Sequence, residues 1–322
     1  MRTKKIVVYA FALGMITLLL IEPEVYTKSV FNGLILFAVS VLPGMFPFFF
    51  YGKILTLSGF GDDFSAVLGK PFSKIYRTDK TSSYVFVMSL LSGYPVGARM
   101  LADFYENRLL DTDECKKISA FTSTGGPIFI VGTVGAGLFG DKRIGYVILA
   151  AHVLSALLNG LVYRGKRAAE KPHSQKAAKS PDNVLSESIN SAVLSVLTVG
   201  GYVALMGMAA DALSNLKILD ALSAPFGLIS ETAAGIFRSV VISAVEMTRG
   251  CLEIEKTAAT LPLKIALASF AVSFGGLSVT LQSITFLSKC KIKAGFYLLS
   301  KTTQGLIGFL IGFAAGYLFF GI

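Results

Sequence analysis

Apolar segments, most of them long enough to cross a lipid bilayer, recur along the whole sequence. They lie at 6–21, 30–57, 84–107, 115–139, 143–163, 188–213, 236–249, 263–288 and 294–320. A membrane-spanning helix needs about 20 mainly apolar residues. Because 53% of the residues are apolar and only 16% are charged, little chain remains for a folded domain in water. We therefore predict an all-α polytopic membrane protein. A large soluble catalytic domain is excluded, and we expect no enzyme.

The N-terminus predicts an anchor helix within residues 1–28. Basic residues at 2–5 precede the apolar run 6–21, but no small-x-small cleavage site follows, and Glu22 comes directly after the run. These features favour an uncleaved first transmembrane helix with a cytoplasmic N-terminus. A cleaved signal peptide is the alternative.

Glycine and proline interrupt four of the apolar segments. The interruptions are Gly93 to Gly97, Gly125 to Pro127, Glu246 to Gly250, and Gly275 with Gly276. In lipid, the backbone groups freed at such breaks are tolerated only inside protein or beside a water-filled cavity. We predict two re-entrant hairpins, at 84–107 and 236–262, and two broken transmembrane helices, at 115–139 and 263–288.

Small and polar residues also recur in order at a spacing of 150 residues, which predicts a duplicated unit. The matching positions are Ser119, Ser123, Gly125, Gly126, Gly145 and Leu149 with Ser269, Ser273, Gly275, Gly276, Gly295 and Leu299. We expect a first repeat at 29–164 and a second at 186–322. The polar stretch 165–185 between them reads as a cytoplasmic linker.

Positive charge sets the orientation of the two halves. The segments expected inside hold 20 Lys and Arg residues, and those expected outside hold eight. This asymmetry places the N-terminus in the cytoplasm. If 84–107 and 236–262 are re-entrant hairpins, the chain crosses the membrane about seven times. The halves then enter the membrane from opposite sides, which is the inverted repeat typical of secondary transporters.

The broken helices predict an anion-binding site at the level of the breaks. We expect half-helices to begin after Gly93, Gly126, Arg249 and Gly276, and each would point unpaired N–H groups and partial positive charge at the midplane. Arg249 would add a full charge, and Tyr94 a stacking surface. The alternative for the glycines is close packing of helices. The predicted substrate-binding residues are Gly93, Tyr94, Pro95, Gly97, Thr124, Gly125, Gly126, Glu246, Thr248, Arg249, Ser273, Gly275 and Gly276.

Ionisable groups within the spans are the other candidates, because they are costly in lipid. Glu246 and Arg249 are spaced to form an ion pair, yet Glu246 could equally carry a proton or contact solute and is the candidate coupling group. Lys301 is expected to extend towards the inner surface. His152 and Asn159 share a helix face and either line the cavity or form interhelical hydrogen bonds. Three scattered cysteines and two histidines predict no metal site, and no cofactor is expected.

Four motifs resemble the YlbJ family of sporulation integral membrane proteins. They are Glu22-Pro-Glu24, the run 42–49, the string Ser-Gly-Tyr-Pro-Val-Gly-Ala at 92–98, and 119–122 with 127–130. That family carries the nucleoside-recognition Gate domain, which it shares with concentrative nucleoside transporters. The resemblance implies a bacterial multi-pass membrane protein, in the outer forespore membrane, that moves dipicolinate during sporulation.

Dipicolinate is a flat dianion, in agreement with an anion site. The expected partners are therefore a small anionic solute and the lipid bilayer, with no nucleic acid, and a homo-oligomer is an open alternative. Two other functions stay open: a non-transporting membrane scaffold for sporulation proteins and a nucleoside-type transporter.

Overall fold

The computed structural model describes residues 2–166 and 183–321, and the regular elements in these ranges are all helices. The α-helices are α1 (Arg2–Ile21), α2 (Pro23–Leu36), α3 (Leu42–Leu57), α4 (Phe60–Tyr76), α5 (Ser82–Ser92), α6 (Val96–Glu106), α7 (Thr112–Ser119), α8 (Lys142–Val162), α9 (Val184–Asn215), α10 (Ile218–Gly227), α11 (Glu231–Val245), α12 (Met247–Lys256), α13 (Leu261–Phe274), α14 (Gly276–Leu287) and α15 (Ala294–Phe320). Two π-helical segments are Phe37–Val41, which joins α2 to α3, and Ile128–Leu138, called the π-helix below. The predicted all-α class is confirmed. Most of the predicted linker 165–185 lies outside the described residues.

Five helical stretches within the described ranges are long and apolar enough to cross a membrane. They are Pro23–Leu57, Lys142–Val162, Val184–Asn215, Leu261–Leu287 and Ala294–Phe320. Shorter apolar helices are Lys5–Ile21, Ser82–Ser92, Ile128–Leu138 and Ile218–Gly227. The predicted total of about seven spans stays a prediction, since length and composition do not decide whether these shorter helices cross.

Polar side chains fix where several helices begin. Asp111, Asp141, Asn183 and Ser230 each accept a hydrogen bond from a backbone N–H in the first turn of α7, α8, α9 and α11. Such caps satisfy N–H groups that have no partner within the helix. At the start of α8, the side chain and backbone N–H of Arg143 also hold the pKa of Asp141 below its ordinary value.

The four predicted interruptions are real helix ends. α5 and α6 pack together as one helical hairpin with its tip at 93–95, and α11 and α12 form a second hairpin with its tip at Glu246. Residues 120–126 separate α7 from the π-helix, and Gly275 separates α13 from α14, which begins at Gly276. Whether the two hairpins are re-entrant in the bilayer stays a prediction.

One predicted boundary is wrong. α12 begins at Met247 and not after Arg249, because the Glu246 carboxylate caps the helix by accepting the Arg249 N–H at 2.8 Å. The cap places Arg249 within the first turn of α12, and the N-terminus of this helix faces the Glu246 carboxylate.

The long helices α8, α13 and α15 pack side by side, and α13 ends at the second break. Gly308 and Gly312 of α15 lie directly against Ser273 and Ser269 of α13, where any side chain would collide. Small residues permit this close approach in a membrane, where packing rather than water exclusion holds helices together. The result is a rigid support behind the breaks.

The elements follow the same order on both sides of residues 165–185. A long helical stretch, a further helix, a hairpin, a broken helix and a final long helix run from Pro23–Leu57 to α8, and again from α9 to α15. The duplicated unit, its boundaries and its inverted orientation stay predictions.

Candidate functional site

The side chain of Tyr94 joins both hairpin tips and both helix breaks. Its hydroxyl donates to the Val272 carbonyl at 2.9 Å and lies 3.1 Å from the Met247 sulfur. A methyl group on Gly125 would lie 2.9 Å from the same hydroxyl. The tip of the first hairpin therefore touches the first break, the second broken helix and the start of α12.

Each hairpin tip also rests on one break through backbone alone. A methyl group on Gly93 would lie 2.9 Å from the Gly126 nitrogen, and one on Gly276 would lie 2.8 Å from the Ser243 carbonyl oxygen. Gly93 and Gly276 also have positive φ angles of 82° and 70°, which glycine adopts at no steric cost. Glycine is thus needed at both contacts for shape and for conformation.

The imidazole of His152 connects the two breaks from behind. Its Nε2 accepts the Gly125 N–H at 2.9 Å, and its Nδ1 lies 3.0 Å from the Ser273 hydroxyl. Because Nε2 accepts, the ring proton sits on Nδ1 and donates to Ser273. Asn159 lies further along α8, where its side-chain amide donates to the Ala120 carbonyl at 2.7 Å and to the Ser300 hydroxyl at 3.0 Å. Both residues form interhelical hydrogen bonds, the second of the two alternatives predicted for them.

Lys301 also lies in this region and is buried, although it was not among the residues predicted for the site. The side chain is 1% exposed, and its ammonium donates to the Ser123 carbonyl at 2.9 Å and to the Gln304 side-chain oxygen at 2.6 Å. It also lies 5.8 Å from the centre of the Tyr94 ring. The expectation that Lys301 extends to the inner surface is wrong, because the backbone break offers it a carbonyl inside the bundle.

A cleft opens beside the Tyr94 junction, with about 630 Å³ of empty space including its open mouth. Five of the predicted residues line it: Gly93, Tyr94, Gly126, Glu246 and Thr248. The rest of its wall comes from Ser40, Val41, Gly44, Met45, Phe48, Leu91, Ser92, Ile128, Phe129, Val199, Val203, Met247, Ser278, Val279 and Gln282. The cleft therefore lies between the two hairpin tips, α3, α9 and α14.

The other eight predicted residues lie outside this wall: Pro95, Gly97, Thr124, Gly125, Arg249, Ser273, Gly275 and Gly276. Most of them support the breaks. Gly97 packs on the Thr122 carbonyl, and the Thr124 hydroxyl lies 3.0 Å from that of Ser89. Pro95 precedes α6, and Gly275 ends α13.

The predicted ion pair between Glu246 and Arg249 is wrong. Glu246 uses its carboxylate to cap α12, and the Arg249 guanidinium forms a salt bridge with Asp211 of α9. Asp211 also accepts a hydrogen bond from the Ser29 hydroxyl of α2. Arg249 thus ties the second hairpin to α9 and does not present its charge to the cleft.

Two polar atoms in the wall of the cleft have no hydrogen-bond partner. They are the Ser92 hydroxyl oxygen and the Gln282 side-chain oxygen, and both residues are 2% exposed. Leaving a buried polar atom unpaired costs about 1–3 kcal/mol, so a solute that pairs with these atoms gains binding energy. Gln282 was not predicted. Its spacing of four residues from Ser278, on a helix without ionisable residues, is the signal that could have found it.

The described residues contain no group of His, Cys, Asp and Glu arranged to hold a metal ion. The three cysteines are free and buried. The chemistry that the site offers is therefore hydrogen bonding, aromatic contact and helix-end electrostatics in a largely apolar cleft.

These features define a class of protein: a multi-pass membrane protein with the fold of a transporter. A match to a solved structure of the concentrative nucleoside transporter CNTnw in an outward-facing state covers 98% of this chain and 86% of that one. The TM-score is 0.51 and the identity is 15%. A CNTnw structure in an intermediate state matches with a TM-score of 0.48 and 16% identity, over 98% of this chain and 85% of that one. At these identities the likeness concerns the fold.

Among curated proteins, the chain is similar to the sporulation integral membrane protein YlbJ of Bacillus subtilis (strain 168). The two are 26% identical over 332 residues, which cover 94% of this chain and 80% of YlbJ. No family model matches the chain. The resemblance to YlbJ expected from the motifs is confirmed, and with it a multi-pass membrane location. The relatives are membrane and transport proteins and not enzymes.

Proposed function

We propose that the protein carries a small organic solute across a bacterial membrane by alternating access around the cleft. The observation that carries this proposal is the junction at Tyr94, where both hairpin tips and both helix breaks meet beside a cavity. Secondary transporters bind solute where discontinuous helices of two repeats meet. A packed junction of this kind can rearrange as a unit and expose the cleft to either side.

Dipicolinate, a small organic anion, is the solute we propose, and the outer forespore membrane is the proposed location. Three half-helices begin near the cleft without a side-chain cap: α6, the π-helix and α14. Their unpaired N–H groups attract carboxylates, and each end contributes about 0.3–1 kcal/mol. The rings of Tyr94 and Phe129 line the cleft and offer faces for a flat aromatic ring.

A nucleoside-type solute is the second candidate, and the cleft wall itself favours it. The lining residues described above include Glu246 and the unpaired Gln282 oxygen but no Lys or Arg. Carboxylate and amide oxygens accept hydrogen bonds, so they suit a neutral solute that carries hydroxyl or amino groups.

Uptake into liposomes that contain the purified full chain separates these candidates. Radiolabelled dipicolinate and radiolabelled uridine would be measured in parallel, for the native chain, for Tyr94→Ala and for Tyr146→Ala. Tyr146 is the matched control, because its side chain is 60% exposed on α8. Saturable dipicolinate uptake that Tyr94→Ala abolishes and Tyr146→Ala preserves would support the proposal.

Saturable uptake of uridine in place of dipicolinate would support the second candidate. Uptake of neither solute by protein shown to be folded, from its cooperative thermal unfolding, would contradict transport of both solutes and favour a membrane scaffold.

A further inference from the structure

Lys301 is a buried amine with no acidic partner. Within the described ranges, no carboxylate forms a salt bridge with its ammonium, and the side chain is 1% exposed. Taking an ammonium ion out of water costs several kcal/mol, which is repaid only by close and complete hydrogen bonding. A cost of this size is not explained by packing, since Met would fill the same space without it.

The contacts of Lys301 suit a cation at the first helix break. Two of its three N–H groups donate, to the Ser123 carbonyl and to the Gln304 side-chain oxygen, and the Tyr94 ring face lies 5.8 Å from the nitrogen. Unwound backbone carbonyls at such breaks coordinate the coupling cation in secondary transporters. Here the Lys301 ammonium occupies the position of such a cation, at the Ser123 carbonyl oxygen.

Gln304 provides for the uncharged state as well. Its side-chain oxygen accepts from the ammonium, while its side-chain nitrogen is buried without a partner. A neutral amine has one lone pair, and the Gln304 amide can donate to it after rotating by half a turn about its terminal bond. The pair is therefore built to hold either form of the amine, but only the charged form donates to both the Ser123 carbonyl and the Gln304 side-chain oxygen in the observed arrangement.

We propose that Lys301 is the proton-binding site that couples solute movement to a proton gradient. This inference rests on the proposed transport function. The charged amine holds the Ser123 carbonyl and keeps the first break closed against Tyr94. Loss of one proton from Nζ to water leaves a neutral amine and an electron pair, weakens the hold on Ser123 and frees the junction to move. Transport then needs protons and no sodium.

The other titratable groups near Lys301 are few. His152 faces it from α8, Tyr94 from the first hairpin and Tyr297 from its own helix, where the Tyr297 hydroxyl lies 2.6 Å from that of Ser123. α14 contains no ionisable residue. The one ionisable side chain of α13 is Lys264, which is bonded to the Glu255 carbonyl at the far end of that helix. The Glu246 carboxylate, the other candidate coupling group, caps α12.

The test compares two liposome assays of the full chain with labelled dipicolinate and labelled uridine, with choline in place of sodium. Exchange at equal pH on both sides requires no net proton movement, whereas accumulation under an inward proton gradient does. The variants are Lys301→Gln, Glu246→Gln, and the matched control Lys293→Gln, which changes an exposed lysine at the start of α15.

We expect the native chain and Lys293→Gln to accumulate solute under the gradient. Lys301→Gln should still exchange solute but accumulate none above simple equilibration. Gradient-driven accumulation by Lys301→Gln, or an absolute need of the native chain for sodium, would overturn the proposal. Loss of accumulation in Glu246→Gln with Lys301→Gln unaffected would overturn it in favour of Glu246.

If the native chain moves neither solute, the proposed function fails, and a second measurement still tests the proton site. The melting temperature of the purified native chain, relative to that of Lys301→Gln, should rise with pH, because burying the charged amine costs free energy that burying the neutral amine does not. A difference that does not depend on pH would contradict proton binding at Lys301.

Discussion

The Tyr94 hydroxyl donates to the Val272 carbonyl at 2.9 Å across 178 residues of sequence. This one bond links the tip of the first hairpin to the broken helix of the other half of the chain. Val272 lies one turn before Gly275, where α13 ends. The bond therefore connects the wall of the cleft to the part of the backbone that is already interrupted.

Replacing Tyr94 by Phe should weaken this junction without removing the aromatic ring from it. The ring stays, but the Val272 carbonyl loses its side-chain donor, and an unpaired buried group costs about 1–3 kcal/mol. We expect a lower melting temperature and slower uptake. Tyr317→Phe, on an exposed ring of α15, should change neither. Equal melting temperatures for Tyr94→Phe and the native chain would show that the bond does not support the junction.

Gly276→Ala should impair both stability and transport. Alanine at a positive φ costs about 1–2 kcal/mol, and its methyl group would lie 2.8 Å from the Ser243 carbonyl oxygen at the second hairpin. Gly201→Ala is the matched control, since nothing lies within 4 Å of that position. Uptake by Gly276→Ala at the native rate would exclude a close contact between this break and the hairpin.

His152→Ala should be among the more destabilising single changes. It leaves the Gly125 N–H and the Ser273 hydroxyl without their shared partner, at about 1–3 kcal/mol for each group. Thermal unfolding of the purified protein measures the loss. His173→Ala is the comparison within the same residue type, and it changes a position in the predicted linker. A loss no larger for His152→Ala than for His173→Ala would contradict the bridging role.

Arg249 should act through Asp211 and not through solute. We expect Arg249→Asp to slow uptake, because two carboxylates would then face each other between the second hairpin and α9. The double variant Arg249→Asp with Asp211→Arg restores opposite charges and should recover part of the rate. If the guanidinium instead bound the anion directly, the exchanged pair would remain as slow as the single variant.

The helix breaks could be predicted from the sequence because their cause is local. The glycine and proline clusters at 93–97, 125–127 and 275–276 disfavour a continuous helix through their own backbone properties, and the structure ends helices at each of these places. The residues that line the cleft were found only in part, since Gly93, Tyr94 and Glu246 belong to the breaks but Gln282 and Ser92 belong to regular helices.

The partners of the charged residues could not be predicted, because they depend on how distant helices pack. Spacing allowed an ion pair between Glu246 and Arg249. In the structure the Glu246 carboxylate accepts a backbone N–H, and the Arg249 guanidinium forms a salt bridge with Asp211 on α9. Lys301 could reach the surface by length alone, yet the carbonyl of Ser123 lies closer within the bundle. Neither contact can be recognised from the sequence of one segment alone.

The central claim, that the cleft binds solute and opens to each side in turn, can be tested at Ser40. The native cysteines are buried, whereas Ser40 is only half-buried in the cleft wall, so Ser40→Cys adds one accessible thiol for a membrane-impermeant thiol reagent. We predict modification from either face of the membrane, in vesicles of both orientations, and protection by saturating dipicolinate. Modification from neither face, or at a rate that neither dipicolinate nor uridine changes, would contradict the account.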